Sequence, residues 1–152
     1  MTAIRKNKSG FTLIEILIVV IILGILAAIV IPQFTNASQD ARRSSLASQV
    51  QTLRAQVELY KLQHGDTLPD LVTSWAPFTG TTTYGGKTFG PYMQSEPTNG
   101  LMNNVSTVKN GTAVVAGDTQ AFVYDYGTAG SGSGKLWGID KATDGTLSLM
   151  GG

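Results

Sequence analysis

Lys8-Ser9-Gly10-Phe11-Thr12-Leu13-Ile14-Glu15 heads an apolar run that continues to Ile31. From Phe11 to Ile31 there are 21 residues and one charge, Glu15. As a helix rising 1.5 Å per residue the run would extend about 31 Å, close to the hydrocarbon thickness of a bilayer. Its apolar residues fall on all sides, so it has no polar face to lay along a membrane surface. Before it, residues 1–10 carry Arg5, Lys6 and Lys8 and no acid. That bias predicts a cytoplasmic N-terminus and an exported remainder. A secretory signal peptide has an apolar stretch of about 7–15 residues ended by small residues; this run is longer, and no clean Ala-x-Ala pattern follows it. A plain anchor matches the length but gives Glu15 no purpose, and an ionised carboxylate deep in lipid costs a few kcal/mol.

Beyond the run the pattern changes. Leu46, Val50, Leu53, Val57 and Tyr60 recur at steps of 4, 3, 4 and 3, one face of an amphipathic helix. Polar residues, Arg42 and Arg43 among them, fill the other faces and read as solvated. Gly65 is the expected helix end, with Asp66, Pro69 and Asp70 beyond. One helix over residues 11–64, bent at Pro32, follows from these signals: Pro32 leaves the Ala28 carbonyl unbonded. The stripe is expected to line a core rather than a cofactor. Residues 65–152 hold 16 of the 18 glycines and suit turns and short strands. Residues 75–92 read as a loop with Gly85-Gly86 as a turn. Strands are expected at Thr112–Ala116, Ala121–Tyr126, Leu136–Asp140 and Thr146–Met150, with Phe122, Tyr124 and Tyr126 alternating against Val123 and Asp125. Short antiparallel strands against one long helix make an α+β packing.

Composition removes several kinds of chemistry. The chain has 152 residues, 14% of them charged, and a formal charge of +1, so it is no strongly basic nucleic-acid binder. It has no cysteine, which excludes disulfides, thiolate metal sites and a cysteine nucleophile. His64 is the single histidine, and at a helix end it is expected to bond the last carbonyls. No Ser-His-Asp set can be assembled, and no enzyme activity is expected. Asn104-Val105-Ser106 and Asn110-Gly111-Thr112 match glycosylation sequons, a common pattern.

The string from Lys8 to Glu15 resembles the class III leader of type IV pilins and type II secretion pseudopilins. Gly24 and Pro32 fall where that family has a helix-loosening glycine and proline. Gly90-Pro91-Tyr92 and Glu96-Pro97-Thr98-Asn99-Gly100 resemble a loop of some pseudopilins. The resemblance is close over about residues 5–64 and loose beyond. It implies cleavage by a prepilin peptidase between Gly10 and Phe11, N-methylation of Phe11, and pairing of Glu15 with the Phe11 amine of a neighbouring subunit during assembly. It also implies that residues 24–32 lose helical structure in the filament. Loss of the leader leaves 8 basic against 10 acidic side chains, so no nucleic-acid partner is expected. Some major pseudopilins bind calcium in an acidic C-terminal loop. Here Asp118, Asp140 and Asp144 are weak candidates: the family's Ser-x-Gly-Ala-Asp-Gly string is absent, the spacing is not an EF-hand loop, and turn-forming aspartates are the simpler reading. No other cofactor is implied.

The organisation implied is a removed leader (1–10), a transmembrane and filament-core helix (11–32), its amphipathic continuation (33–64), and a loop and small-sheet domain (65–152). The fold class is α+β and pilin-like. The function implied is that of a major pseudopilin of a type II secretion system, held in the inner membrane with its C-terminal domain periplasmic and then added to a periplasmic filament. Its partners would be membrane lipid, prepilin peptidase, further copies of itself, minor pseudopilins and the inner-membrane assembly platform. The alternatives are a type IV pilin building surface fibres for adhesion, motility or DNA uptake, and a membrane-anchored exported domain of unknown binding activity.

Overall fold

The computed structural model describes residues 10–142 and 145–151. The chain forms two compact units, one ending at Ser38 and one beginning at Gln39. Helix α1 (Leu13–Gln63) has 51 residues and contributes to both.

In the first unit α1 is helical throughout, including Gly24 and Pro32. Every large apolar side chain from Phe11 to Ile31 is 42–85% exposed. Fully burying one Leu or Ile is worth about 1.5–3 kcal/mol, so the run as a whole far outweighs the few kcal/mol that one carboxylate costs in lipid. This is the one helix among the described residues that is long and apolar enough to cross a membrane.

In the second unit α1 buries Leu46, Val50, Leu53 and Val57, the stripe set by its 3.6-residue period. The helix ends where Gly65 (φ 61°) and Asp66 (φ 62°) turn left-handed. The Asp66 amide reaches back to the Lys61 carbonyl at 2.9 Å, as in a Schellman cap with glycine at its left-handed position. A Cβ at Gly65 would run into the Tyr84 hydroxyl, so the cap also makes room for the next element.

That element corrects the expected loop. Residues 75–92 hold a short helix α2 (Ala76–Thr79) and a hairpin, β1 (Thr82–Tyr84) and β2 (Lys87–Phe89). Gly85 (φ 58°) and Gly86 (φ 78°) form its two-residue turn, which needs positive φ at both positions. The remaining strands, β3 (Val108–Asn110), β4 (Phe122–Tyr124), β5 (Leu136–Lys141) and β6 (Leu147–Met150), form one sheet in the order β3-β4-β5-β6. β4, β5 and β6 pair antiparallel, as read from the sequence. β3 pairs parallel to β4, so the sheet is mixed rather than wholly antiparallel. Thr112–Ala116 is no strand: β3 already occupies the side of β4 away from β5.

The core lies between the helix stripe and the sheet. Leu46, Val50, Leu53 and Val57 pack with Leu71, Trp75, Phe78, Phe122, Tyr124 and Leu136. Close approach is set by Gly138 of β5, where a Cβ would meet the Leu46 side chain at 2.8 Å. The polar face of the helix is more engaged than expected. Arg42 donates to the Gly100 carbonyl at 2.9 Å, Arg43 to Asp140 Oδ2 at 3.0 Å and Arg54 to the Leu136 carbonyl at 2.7 Å. Three arginines read as solvated or unassigned thus tie α1 to the sheet and to the loop before it.

Candidate functional site

The residues singled out by the motif open α1. Thr12 is the residue before the first helical position, and Glu15 is the third residue of the helix. The Thr12 amide donates to Glu15 Oε2 at 2.8 Å, the Thr12 hydroxyl donates to the same oxygen at 2.9 Å, and the Glu15 amide donates to Thr12 Oγ1 at 3.3 Å. This reciprocal arrangement is a capping box. It satisfies two of the amides that a helix N-terminus leaves unbonded, and it places a carboxylate where the helix dipole favours negative charge. The signal, Thr-x-x-Glu, was in plain view in the sequence and was read only as part of the leader motif. The cap uses one carboxylate oxygen; among the described residues Glu15 Oε1 has no partner. Phe11 precedes the cap and is 85% exposed.

Gly24 lies in mid-helix with open space where a Cβ would stand. Pro32 is inside the helix, and Thr35 Oγ1 donates to the Ile31 carbonyl at 3.2 Å one turn later.

Of the acidic candidates for calcium, Asp118 and Asp140 each have their own cationic partner. Asp118 Oδ2 accepts from Lys109 Nζ at 2.7 Å and from the Val115 amide at 2.9 Å. The ammonium hydrogen bond and then the amide hold its carboxyl below the usual carboxylate range. Asp140, on β5, pairs with Arg43, while its Oδ1 is buried without a partner among the described residues. Asp144 lies outside the described residues, as does the leader up to Ser9. Among the described residues no group of three or more His, Asp or Glu comes together to hold a metal ion.

His64 is buried at the helix end, stacked on Tyr60 with ring centroids 3.8 Å apart. Its Nδ1 lies 2.9 Å from the Tyr60 carbonyl, which requires a proton on Nδ1, and its Nε2 lies 2.9 Å from Thr82 Oγ1. It ties the helix end to the hairpin.

Asn99 had no assigned part beyond a turn. It is fully buried, and its Nδ2 donates to the Ala121 carbonyl at 2.8 Å and the Ile139 carbonyl at 2.7 Å, while Oδ1 accepts from the Leu101 amide at 2.9 Å. One side chain thus joins the loop to β4 and β5.

An exposed apolar helix opened by a carboxylate-bearing cap, followed by a helix-on-sheet unit, is an α+β arrangement consistent with a pilin-like fold. Residues 5–31 match the family model described as the prokaryotic N-terminal methylation motif. The chain is similar to the type II secretion system core protein G of Pseudomonas aeruginosa, 43% identical over 60 residues, which are 40% of this chain and 42% of that protein. The core protein G of Klebsiella michiganensis is 37% identical over 60 residues, with the same shares. The ComG operon protein 3 homolog of Bacillus licheniformis is 33% identical over 64 residues, 42% of this chain and 66% of that protein. The chain therefore spans about 42% of the length of the core protein G relatives it matches first. No solved structure matches the chain.

Proposed function

We propose that the chain is a structural subunit of a pilus-like filament, the major pseudopilin of a type II protein secretion system. The observation that carries this is the exposed apolar helix from Phe11 to Ile31 with its single carboxylate at Glu15, in a segment similar to core protein G. In this reading a prepilin peptidase cuts between Gly10 and Phe11 on the cytoplasmic side and methylates the Phe11 amine. The subunit then sits in the inner membrane with its second unit in the periplasm until it joins the filament. Apolar faces that lie in lipid beforehand form the filament core afterwards. Minor pseudopilins and an inner-membrane assembly platform are the further partners, and nucleic acid is not among them. The work is assembly rather than catalysis and needs no cofactor.

Glu15 has two tasks in this scheme. Oε2 caps the helix through Thr12, and the free Oε1 receives the Phe11 amine of the adjoining subunit. In a low dielectric such a pair is strongly attractive, and an unpaired carboxylate is penalised, so one register of addition is favoured. Gly24 and Pro32 weaken the helix between them, and we propose that residues 24–32 unwind on packing.

The test is intact mass and N-terminal sequence of the protein from its native membrane, with and without the peptidase. Peptidase-dependent loss of residues 1–10 and one added methyl on Phe11 are expected. An intact Met1, or a cut beyond Ile31, would remove the proposal and leave a membrane-anchored exported domain. A second reading, carried by the leader motif from Lys8 to Glu15 that type IV pilins share, is a type IV pilin of surface fibres. Long fibres sheared from the cell surface would select that reading.

A further inference from the structure

Among the described residues four strand edges have no strand partner: both sides of the β1–β2 hairpin, β3 and β6. The β1–β2 hairpin is a sheet of two strands, open on both sides, and such ribbons are marginal alone. One side of it is anchored by Thr82 and Phe89 against His64. Thr83, Lys87, Thr88 and the turn are exposed. In the four-stranded sheet the edge beside a groove is β3. Ala121 and Phe122 of the β4 segment donate to the Thr107 carbonyl, and the Gly111 amide donates to the Tyr124 carbonyl. By the alternation of a parallel ladder, the N–H and C=O of Val108 point away from β4.

Along the β3 edge runs a groove of about 380 Å³, lined among others by Leu71, Trp75, Glu96, Thr107 and Val108. Glu96 accepts from the Ser106 hydroxyl at 2.9 Å and forms no ion pair among the described residues. Asp70 stands at the rim, bonded to Thr73 of the lining. No cation lines the groove. Lys87, on the open hairpin, likewise forms no ion pair among the described residues.

We propose that the hairpin of one copy docks on the β3 edge of the next, with β2 adding to the sheet and Lys87 facing Glu96. A lysine on a strand edge discourages indiscriminate pairing; a carboxylate beside one particular edge makes that edge the permitted partner. Backbone bonds would supply the adhesion and the charge pair the choice, as in other strand additions. Because hairpin and groove are different patches, the contact is heterologous and propagates from copy to copy instead of closing a dimer. The inference rests on the filament reading above and gives it a specific contact between second units.

The natural chain has no cysteine, so cross-linking starts from a clean background. Lys87→Cys and Glu96→Cys, each alone, are co-expressed, and sheared filaments are oxidised. A disulfide-linked dimer should form in the mixture, and neither with either variant alone nor with Lys135→Cys beside Glu96→Cys. Lys87→Glu and Glu96→Lys should each lower filament yield by about fivefold, the scale of one rim charge contact turned repulsive. The double variant should restore it. Unchanged tryptophan fluorescence keeps misfolding out of the comparison. Filaments that form normally without the cross-link, or a double variant no better than the singles, would overturn the docking and leave the filament reading standing. Absence of filaments from the unsubstituted chain would overturn both.

Discussion

Replacing Asn99 by alanine should be the most damaging polar substitution in the second unit. The amide makes three bonds, to the Ala121 carbonyl, the Ile139 carbonyl and the Leu101 amide, and the residue is fully buried. The Ala121 carbonyl keeps a second donor, the Ile139 amide at 3.0 Å. The Ile139 carbonyl and the Leu101 amide each lose a partner. An unsatisfied buried group costs about 1–3 kcal/mol, so losing two partners should cost about 2–6 kcal/mol. That is a large part of the 5–15 kcal/mol that stabilises a typical domain. The assay is urea unfolding of the full chain in mild detergent, followed by the fluorescence of Trp75 and Trp137, both in the second unit. With a slope of about 1.2 kcal/mol per molar for a unit of this size, the midpoint should fall by about 2–5 M. Asn99→Asp should be at least as damaging, since it turns a carboxylate toward two carbonyls. A shift below about 0.5 M for alanine, or a tolerated aspartate, would refute the view that this side chain joins the loop to the two strands.

Three further outcomes follow. Gly138→Ala should cost about 1–3 kcal/mol in the same urea assay, because its Cβ meets the Leu46 side chain, which must shift within the packed core. Thr12→Val should speed amide exchange in the first turn of α1 about fivefold, the scale of a lost cap, while Thr12→Ser should not; nuclear magnetic resonance in micelles reads both. The carboxyls of Asp118, beside Lys109, and Asp125, bonded to Ser133 Oγ at 2.6 Å, are held below the usual range. The unfolded chain therefore takes up protons first. Stability from these groups is complete above about pH 5 and is lost as pH falls through their lowered folded values. Thermal melts of the Asp118→Asn, Asp125→Asn double variant should show a flatter acid limb than the natural chain.

The N-terminal half of the protein was legible because its signals are local. An unbroken apolar run, a 3–4 spacing of Leu46, Val50, Leu53 and Val57, and a glycine at Gly65 each act through neighbours a few residues away. The same locality made Thr112–Ala116 misleading. Its valines favour a strand, but β3 had taken the free side of β4, the strand that follows it in the chain. A parallel partner such as Val108–Asn110 is not joined to β4 by a tight hairpin, so the turn at Gly117 between them does not announce the pairing. The arginines of α1 were misread for a related reason. Whether Arg43 meets water or Asp140, 97 positions away, depends on which face of the helix the sheet covers.

The amino-acid sequence by itself thus determined the apolar helix, its carboxylate, its cap and its core stripe, since backbone hydrogen bonds four residues apart and side-chain periodicity need no distant partner. The tertiary structure decided the sheet order, the parallel edge, the buried place of Asn99 and the anchoring of Arg42, Arg43 and Arg54. Each of those is a contact between segments far apart in the chain, and its free energy exists only once the helix has settled on the sheet and excluded water from between them.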